Sequence, residues 1–255
     1  MTHSHKAVFF VSLALNACLF LGCMFLFVHF DGPQKLKEKF SPKKALSNWE
    51  MNSYLSQCSI FSMLPQRRGT VVFIGNSILA NCPWYELFGS AQIQNRAIGG
   101  DGTEGVLKRL DEILRHDPAM LVLGIGRSDI VFGLSYDSII HNINSIVSAA
   151  KQRNTNVDIV MLSEMPWRPD VVASRLFKNA NVHELNRRIK RYAEENKLHF
   201  VDFASLVSTS DGALDTAYTF DGVHPNGAAL MKLKIALDPF VTGILAKSPE
   251  KTRKP

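Results

Sequence analysis

The chain has 255 residues, which suits one domain of ordinary size with an appendage. At 46% apolar and 20% charged residues it is globular in composition, not disordered. The net charge is +6, but the basic residues are scattered or sit near the two ends. No ladder of alternating aromatic and basic residues, of the kind single-stranded nucleic acid needs, is present, so no nucleic-acid partner is expected.

Residues Ala7 to Phe30 contain no charged side chain apart from the weakly basic His29. At about 1.5 Å per residue this stretch is long enough to cross a hydrocarbon core of roughly 30 Å. It is too long for a cleaved hydrophobic region, and no small-residue cleavage site follows. Residues 1–30 are therefore expected to be an uncleaved membrane anchor, with membrane lipid as its partner. Asp31-Gly32-Pro33 stops that helix, and residues 31–69 are expected to form a tether and lead-in. Lys35, Lys37, Lys39, Lys43 and Lys44 lie there, and apolar side chains between Trp49 and Met63 suggest a short surface helix. Taken literally, those lysines would keep the following domain in the cytoplasm. Cys18 and Cys23 belong to the anchor. Cys58 and Cys82 fit either a pair in an oxidising compartment or two buried thiols, and no metal-like spacing of cysteines occurs, so no metal is expected.

From Thr70 the pattern becomes regular. Val71-Val72-Phe73-Ile74 is a short buried strand, cut by Gly75-Asn76-Ser77. Further strand-like runs occur at Met120–Ile125, Val157–Leu162 and Leu198–Val201, with a weaker one at Gln92–Gln94. Val106, Leu107, Leu110, Ile113 and Leu114 share one helical face, as do Ile139, Ile143, Ile146, Val147 and Ala150. Val182, Leu185, Ile189 and Tyr192 form a third face, whose helix turns Arg187, Arg188, Lys190 and Arg191 to solvent. A last helix begins after Pro225, and residues 247–255 are a basic tail. Alternating strands and helices imply a parallel sheet covered on both faces, over a domain of residues 70–246.

Chemistry concentrates at strand ends, where the loops of such sheets converge. Ser77 reads either as a plain N-cap residue or as a nucleophile, depending on what else arrives there. Asn95 through Thr103 is a glycine-rich turn that offers backbone N–H groups to an anion. Gly126-Arg127-Ser128-Asp129 follows the third strand. Asp221-Gly222-Val223-His224-Pro225 places a carboxylate three residues before a histidine, close enough to fix its tautomer and stabilise its charged form. His224 could then take the proton of Ser77.

Together and in this order, these blocks resemble the SGNH hydrolases, the GDSL-type esterases, over about Val71 to Leu237. The family's G-D-S appears as Gly75-Asn76-Ser77, its second block as Ile98-Gly99-Gly100-Asp101, and its D-x-x-H-P is intact as Asp221 to Pro225. The stretch from Trp84-Tyr85-Glu86-Leu87-Phe88 through Asn95-Arg96 is also similar. The resemblance implies a three-layer α/β/α sandwich on a mostly parallel five-stranded sheet, flavodoxin-like in its winding. It further implies a serine esterase without a cofactor, with Ser77 as nucleophile, His224 as base and Asp221 as orienter. The oxyanion donors would be the N–H groups of Ser77 and Gly100. The family's third block is G-x-N-D, whose Asn donates to the oxyanion; here Ser128 stands in its place. Losing one such donor lowers the rate on the order of 10²–10³-fold. Ser128 could act through a water, Arg127 could supply the charge, or the enzyme could be slow. Asn76, Arg127, Trp167 and Arg168 are candidate substrate-binding residues. The resemblance is closest to members acting on short acyl esters such as acetylated sugars, with a lysophospholipase, a thioesterase or an inactive tethered binding protein as alternatives. Family members with one N-terminal anchor commonly act on envelope glycans, which implies an extracytoplasmic domain, against the literal reading of the lysines.

Overall fold

Val71 to Ile74 have no charge to satisfy and three of the four are β-branched, so they pack on both faces as a central strand. In the computed structural model this strand, β1 (Val71–Gly75), is buried along its whole length. The structure describes residues 48–170 and 178–247, together with Asn16, residues 19–22, Met24 and Phe25. Around β1 lie β2 (Ile93–Asn95), β3 (Met120–Gly124), β4 (Asp158–Leu162) and β5 (His199–Val201). All pair in parallel, in the order β2-β1-β3-β4-β5. The chain therefore leaves β1 to one side and then returns to the other, and the crevice between β1 and β3 is the topological switch point.

Two apolar layers sit on the sheet, divided by the alternation of its side chains. Val71, Phe73, Val122, Val160 and Leu162 face α2 (Ser77–Ala80), α3 (Trp84–Leu87), α9 (Phe203–Val207) and α10 (Gly227–Lys247). Val72, Ile74, Leu121, Leu123, Ile159 and Met161 face α4 (Thr103–Lys108), α5 (Leu110–Leu114), α7 (Tyr136–Arg153) and α8 (Asn179–Glu195). Short α6 (Arg127–Val131) follows β3. The three-layer sandwich and the five-stranded sheet match the expectation, with strand ends displaced by one residue or so.

Two departures are instructive. The apolar face from Val106 to Leu114 is not one helix but two, broken at Arg109 (φ −116°, ψ 15°). Arg109 turns inward, and its Nε and Nη2 donate to the buried Asp101 carboxylate at 3.0 and 2.7 Å. An ion pair thus overrides helical continuity. The lead-in is also more than a tether. Helix α1 (Asn48–Met63) belongs to the same compact unit as the sheet, Lys44–Pro255. Tyr54 donates to the Gly105 carbonyl at 3.0 Å, and Arg115 donates to the carbonyls of Phe61 and Leu64 at 3.1 and 2.7 Å. Phe61 is buried beneath Arg96, whose guanidinium lies 4.9 Å from the ring centroid.

The other unit is Met1–Lys43. Its described residues are helical and exposed. The anchor expected at residues 7–30 lies mostly outside the described residues, as do most of the tether and the basic tail. Among the described residues no helix is long and apolar enough to cross a membrane. Cys58 and Cys82 are both free thiols, and burial pushes Cys82 up to about 12.

Candidate active site

The nucleophile candidate is delivered by two glycines. Gly75 ends β1 directly opposite Gly124 at the end of β3. A Cβ on Gly75 would lie 2.3 Å from the Gly124 carbonyl oxygen, so the strands approach this closely only without a side chain there. Asn76 then caps α2, its Oδ1 accepting from the Ile78 N–H at 3.0 Å. That cap forces the turn and puts Ser77 at the first helical position, above the switch point. The far end of α2 is braced from β2. Asn95 Nδ2 donates to the carbonyls of Leu79, Ala80 and Cys82 at 3.0–3.1 Å, and Trp84 Nε1 also donates to Leu79. Trp84 itself stacks on Phe73, ring centroids 4.4 Å apart.

The histidine arrives on a loop folded around one carboxylate. Asp221 Oδ1 accepts from the N–H groups of Val223 and His224 at 2.8 and 2.7 Å, which winds the loop tightly. Gly222, at φ +75°, supplies the left-handed step. Asp221 Oδ2 is left for the imidazole and lies 2.7 Å from His224 Nδ1. With Nδ1–H donating to that oxygen, Nε2 is an acceptor, and it lies 3.0 Å from Ser77 Oγ. Partial burial pushes the Asp221 carboxyl upward, but the N–H of His224, its imidazole and the N–H of Val223 outweigh it and hold the group well below the ordinary carboxylate range. Asp221 is thus ionised wherever the imidazole works. Ser77, His224 and Asp221, 147 residues apart at the extremes of the first pair, are joined in one chain of hydrogen bonds.

A cleft of about 670 Å³ opens over Ser77. Gly100 lines it at φ +75°, a left-handed step that suits glycine. Ser128 lines it as well, half-buried at the start of α6. The turns carrying Gly100 and Ser128 are stapled together by Asp129, which accepts from the Thr103 N–H and hydroxyl at 2.9 and 2.6 Å. Gly102 fits closely beside it, since a Cβ there would stand 3.1 Å from the carboxylate.

Of the candidate substrate-binding residues, Asn76, Arg127 and Trp167 line the cleft. Asn76 faces inward more than outward, its Nδ2 donating to Glu164 at 3.3 Å. Trp167 is a buried wall under the Arg127 guanidinium, 4.5 Å from ring centroid to Cζ. Arg168 is not a cleft residue. Its side chain pairs with Asp170, and only its N–H serves the site, holding the Gly222 carbonyl at 3.0 Å. Three kinds of residue escaped the reading of the sequence. Ser53 and Gln57 bring α1 into the cleft wall. Asn95 braces the serine helix, and Glu164 lies buried behind it. Asn95 falls in a block that the resemblance marks, though its bracing role does not show there; no local pattern marks the others, because their partners are distant in the chain. Among the described residues no group of His, Cys, Asp and Glu is placed to hold a metal ion.

A doubly wound α/β domain that gathers a serine, a histidine and an aspartate at the carboxyl ends of its strands has the architecture of the SGNH hydrolases. The chain belongs to the GDSL-like Lipase/Acylhydrolase family, whose model matches residues 73–229. It is similar to platelet-activating factor acetylhydrolase IB subunit alpha1 of Homo sapiens, 29% identical over 185 residues, 69% of this chain and 77% of that protein. It is also similar to the alpha2 subunit of Gallus gallus, 27% identical over 210 residues, 79% and 86% of the two chains. Among solved structures, a GDSL-like lipase of Bacteroides thetaiotaomicron covers 74% of this chain and 97% of its own, with 25% identity and a TM-score of 0.64.

Proposed function

We propose that the protein is a serine esterase that removes short acyl groups, acetyl first among them, through Ser77, His224 and Asp221. The observation that carries this reading is the hydrogen-bond chain from Asp221 Oδ2 through the imidazole to Ser77 Oγ, at 2.7 and 3.0 Å, on the floor of an open cleft. In this reading Ser77 Oγ attacks the ester carbonyl while His224 Nε2 takes its proton. Asp221 stabilises the imidazolium that forms without itself being protonated. The oxyanion is held by the N–H groups of Ser77 and Gly100. His224 then returns the proton to the leaving alkoxide, and the acyl-serine is hydrolysed by a water activated through the same imidazole.

The choice of acetyl is supported by the relatives, which are named acetylhydrolases. For the alcohol half of the ester we propose a carbohydrate, and for residues 7–30 a membrane tether that keeps the domain on the extracytoplasmic side. A C-terminal reporter that is active only in the cytoplasm would reverse that orientation.

The test uses full-length protein in mild detergent. It is expected to hydrolyse p-nitrophenyl acetate and to be labelled covalently by a fluorophosphonate at Ser77. Ser77→Ala should abolish labelling and, with His224→Ala, remove at least about 10³-fold of the turnover, because such residues act as a unit. A Ser77→Ala variant that keeps the wild-type rate would sink the assignment. A wild-type protein that is neither labelled nor active would make it a tethered binding protein.

A further inference from the structure

Behind the serine lie two charges that the proposed chemistry does not use. Arg127 and Glu164 are only 4% and 2% exposed, at the carboxyl ends of the neighbouring strands β3 and β4. An enclosed charge is expensive unless an opposite one compensates it. Each of these is the leading compensator of the other. Burial drives Glu164 toward its neutral form, and Arg127 is the strongest influence restoring its charge; burial weakens the Arg127 charge, and Glu164 is foremost in supporting it. Arg127 Nη2 and Glu164 Oε1 have no hydrogen-bond partner among the described residues, so the two groups compensate each other through space and not by a direct bond.

Their remaining atoms are committed to opposite sides of the site. Glu164 Oε2 accepts from Asn76 Nδ2 at 3.3 Å, and Asn76 is the cap that forms the serine turn. Glu164 is itself immobilised by Asn186, which accepts from its N–H at 2.7 Å and donates to its carbonyl at 2.8 Å. Arg127 Nη1 donates to the carbonyl of Val223 at 3.0 Å, and Val223 directly precedes His224. The guanidinium plane is held against Trp167. The tie to Val223 spans 96 residues of sequence and reaches a loop whose Asp221 and His224 side chains are largely in solvent.

We infer that Arg127 and Glu164 are a buried positioning pair that couples the serine turn to the histidine loop, Glu164 through Asn76 and Arg127 through the Val223 carbonyl. The inference rests on the reading of Ser77 and His224 as the reacting pair. Neither member of the pair touches the reacting atoms. Arg127 is thereby a poor stand-in for the missing oxyanion amide, since its Nη1 is taken by Val223, its face lies on Trp167 and its unpartnered Nη2 is enclosed. What the pair sets is the separation between Ser77 Oγ and His224 Nε2, on which proton transfer depends steeply.

The experiment is a double-mutant cycle on the full-length protein, with Arg127→Met, Glu164→Leu and the combined variant. The readouts are kcat and KM for p-nitrophenyl acetate and the rate of fluorophosphonate labelling at Ser77. Each single change is expected to lower kcat and the labelling rate by about 10- to 100-fold, with KM within about twofold, because geometry and not ground-state binding is lost. The combined variant should be no slower than the slower single, since the two act through one device and the double leaves no lone buried charge. If a single variant does not fold, Arg127→Lys and Glu164→Gln replace it in the same cycle. Losses that multiply in the double would show two independent roles and overturn the pairing. So would a wild-type kcat in the Glu164 variants, or a rise in KM with kcat intact, which would make Arg127 a substrate-binding residue. Ser77→Ala run alongside separates the two levels. If it retains activity, the reading of the site fails; if it is dead while the pair variants keep full kcat, only the present inference fails.

Discussion

The serine turn and the histidine loop meet across 3.0 Å, yet they are built on opposite principles. The turn is enclosed. β1 is buried throughout, Asn76 is 2% exposed, and Asn95 and Trp84 satisfy the far end of α2. The loop stands in solvent, with the side chains of His224 and Asp221 41% and 53% exposed and Phe220 almost wholly so. Its order comes from hydrogen bonds to one carboxylate and from ties thrown to it by other loops: the Arg168 N–H to Gly222 and Arg127 to Val223. The nucleophile is thus held by packing and the base by polar contacts. Packing resists change in all directions, whereas a hydrogen-bonded loop can be altered in one contact at a time. Damage on the two sides should consequently look different.

The largest effect is expected on the loop. In Asp221→Asn the side-chain oxygen can still accept the N–H groups of Val223 and His224, so the loop keeps its shape. The amide now facing Nδ1 cannot accept from it, and the imidazole is held in the wrong tautomer. A fall in kcat of about 10³–10⁴-fold is expected, with the melting temperature nearly unchanged. A large fall in melting temperature would show that the carboxylate's charge, not its hydrogen-bond pattern, folds the loop.

The turn should fail the other way. Gly75→Ala puts a methyl group 2.3 Å from the Gly124 carbonyl oxygen, in a strand that cannot move without breaking its pairing. Overpacking of this kind costs about 3 kcal/mol, and activity should fall in step with the folded fraction. Chemical denaturation measures the first and active-site titration with the fluorophosphonate the second. A stable Gly75→Ala protein would mean that β1 and β3 separate more easily than their register suggests.

These two regions also differ in how far they can be read from the sequence. Val71 to Ser77 and Asp221 to Pro225 are short blocks whose order and spacing carry their own meaning: an apolar run ended by a turn, and an acid three residues before a histidine. The sheet order follows from the alternation of strands and helices. What holds the site from behind is not legible in this way. Asn95 meets carbonyls 13–16 residues away, Glu164 meets Asn76 across 88, and Arg127 meets Val223 across 96. Polar residues near strand ends read equally well as surface, and only the fold reveals that they turn inward. The break at Arg109 has the same origin, since nothing in the helical periodicity announces its partner Asp101.

Burial of carboxyl groups beneath the turn predicts a pH effect smaller than either substitution. Burial pushes Glu164 from 4.5 up to about 7 and Asp101 from 3.8 up to about 6, against the pull of their arginines. Both groups bind protons more tightly in the folded chain than in the unfolded one. Their contribution to stability is therefore full below the unfolded values and is lost as pH rises through the folded ones. For Glu164 the loss is on the order of 2–3 kcal/mol between about pH 4.5 and 7. Asp221, held low, acts in the opposite sense, stabilising above the ordinary carboxylate range and ceasing to do so only in strong acid. Denaturation midpoints for wild type and Glu164→Gln between pH 5 and 8 should diverge in slope, the variant declining less. Parallel curves would show that Glu164 stays charged through the whole interval.

The smallest expected effect falls where the turn and the loop both face the substrate. Ser128 lines the cleft at the start of α6, in the position where the family pattern G-x-N-D has an amide. A hydroxyl there is shorter by one heavy-atom bond, while Asp129, the next residue, is fixed by Thr103 and keeps the backbone of this turn in place. Ser128→Asn restores a donor aimed at charge that develops only in the transition state, so kcat should rise, by up to about tenfold, and KM should change less. The full 10²–10³-fold seen when such donors are deleted is not expected, because the new amide must find its place between Arg127, Val131 and Phe132 of the cleft wall. Steady-state kinetics on p-nitrophenyl acetate decide the matter. A rise in kcat assigns the slow step to the missing donor. An unchanged kcat shows that the N–H groups of Ser77 and Gly100 suffice for the oxyanion and that Ser128 is part of the wall alone. A fall in kcat with the melting temperature preserved would mean that the wall is already close-packed against the acyl group, and that serine stands at position 128 for its size.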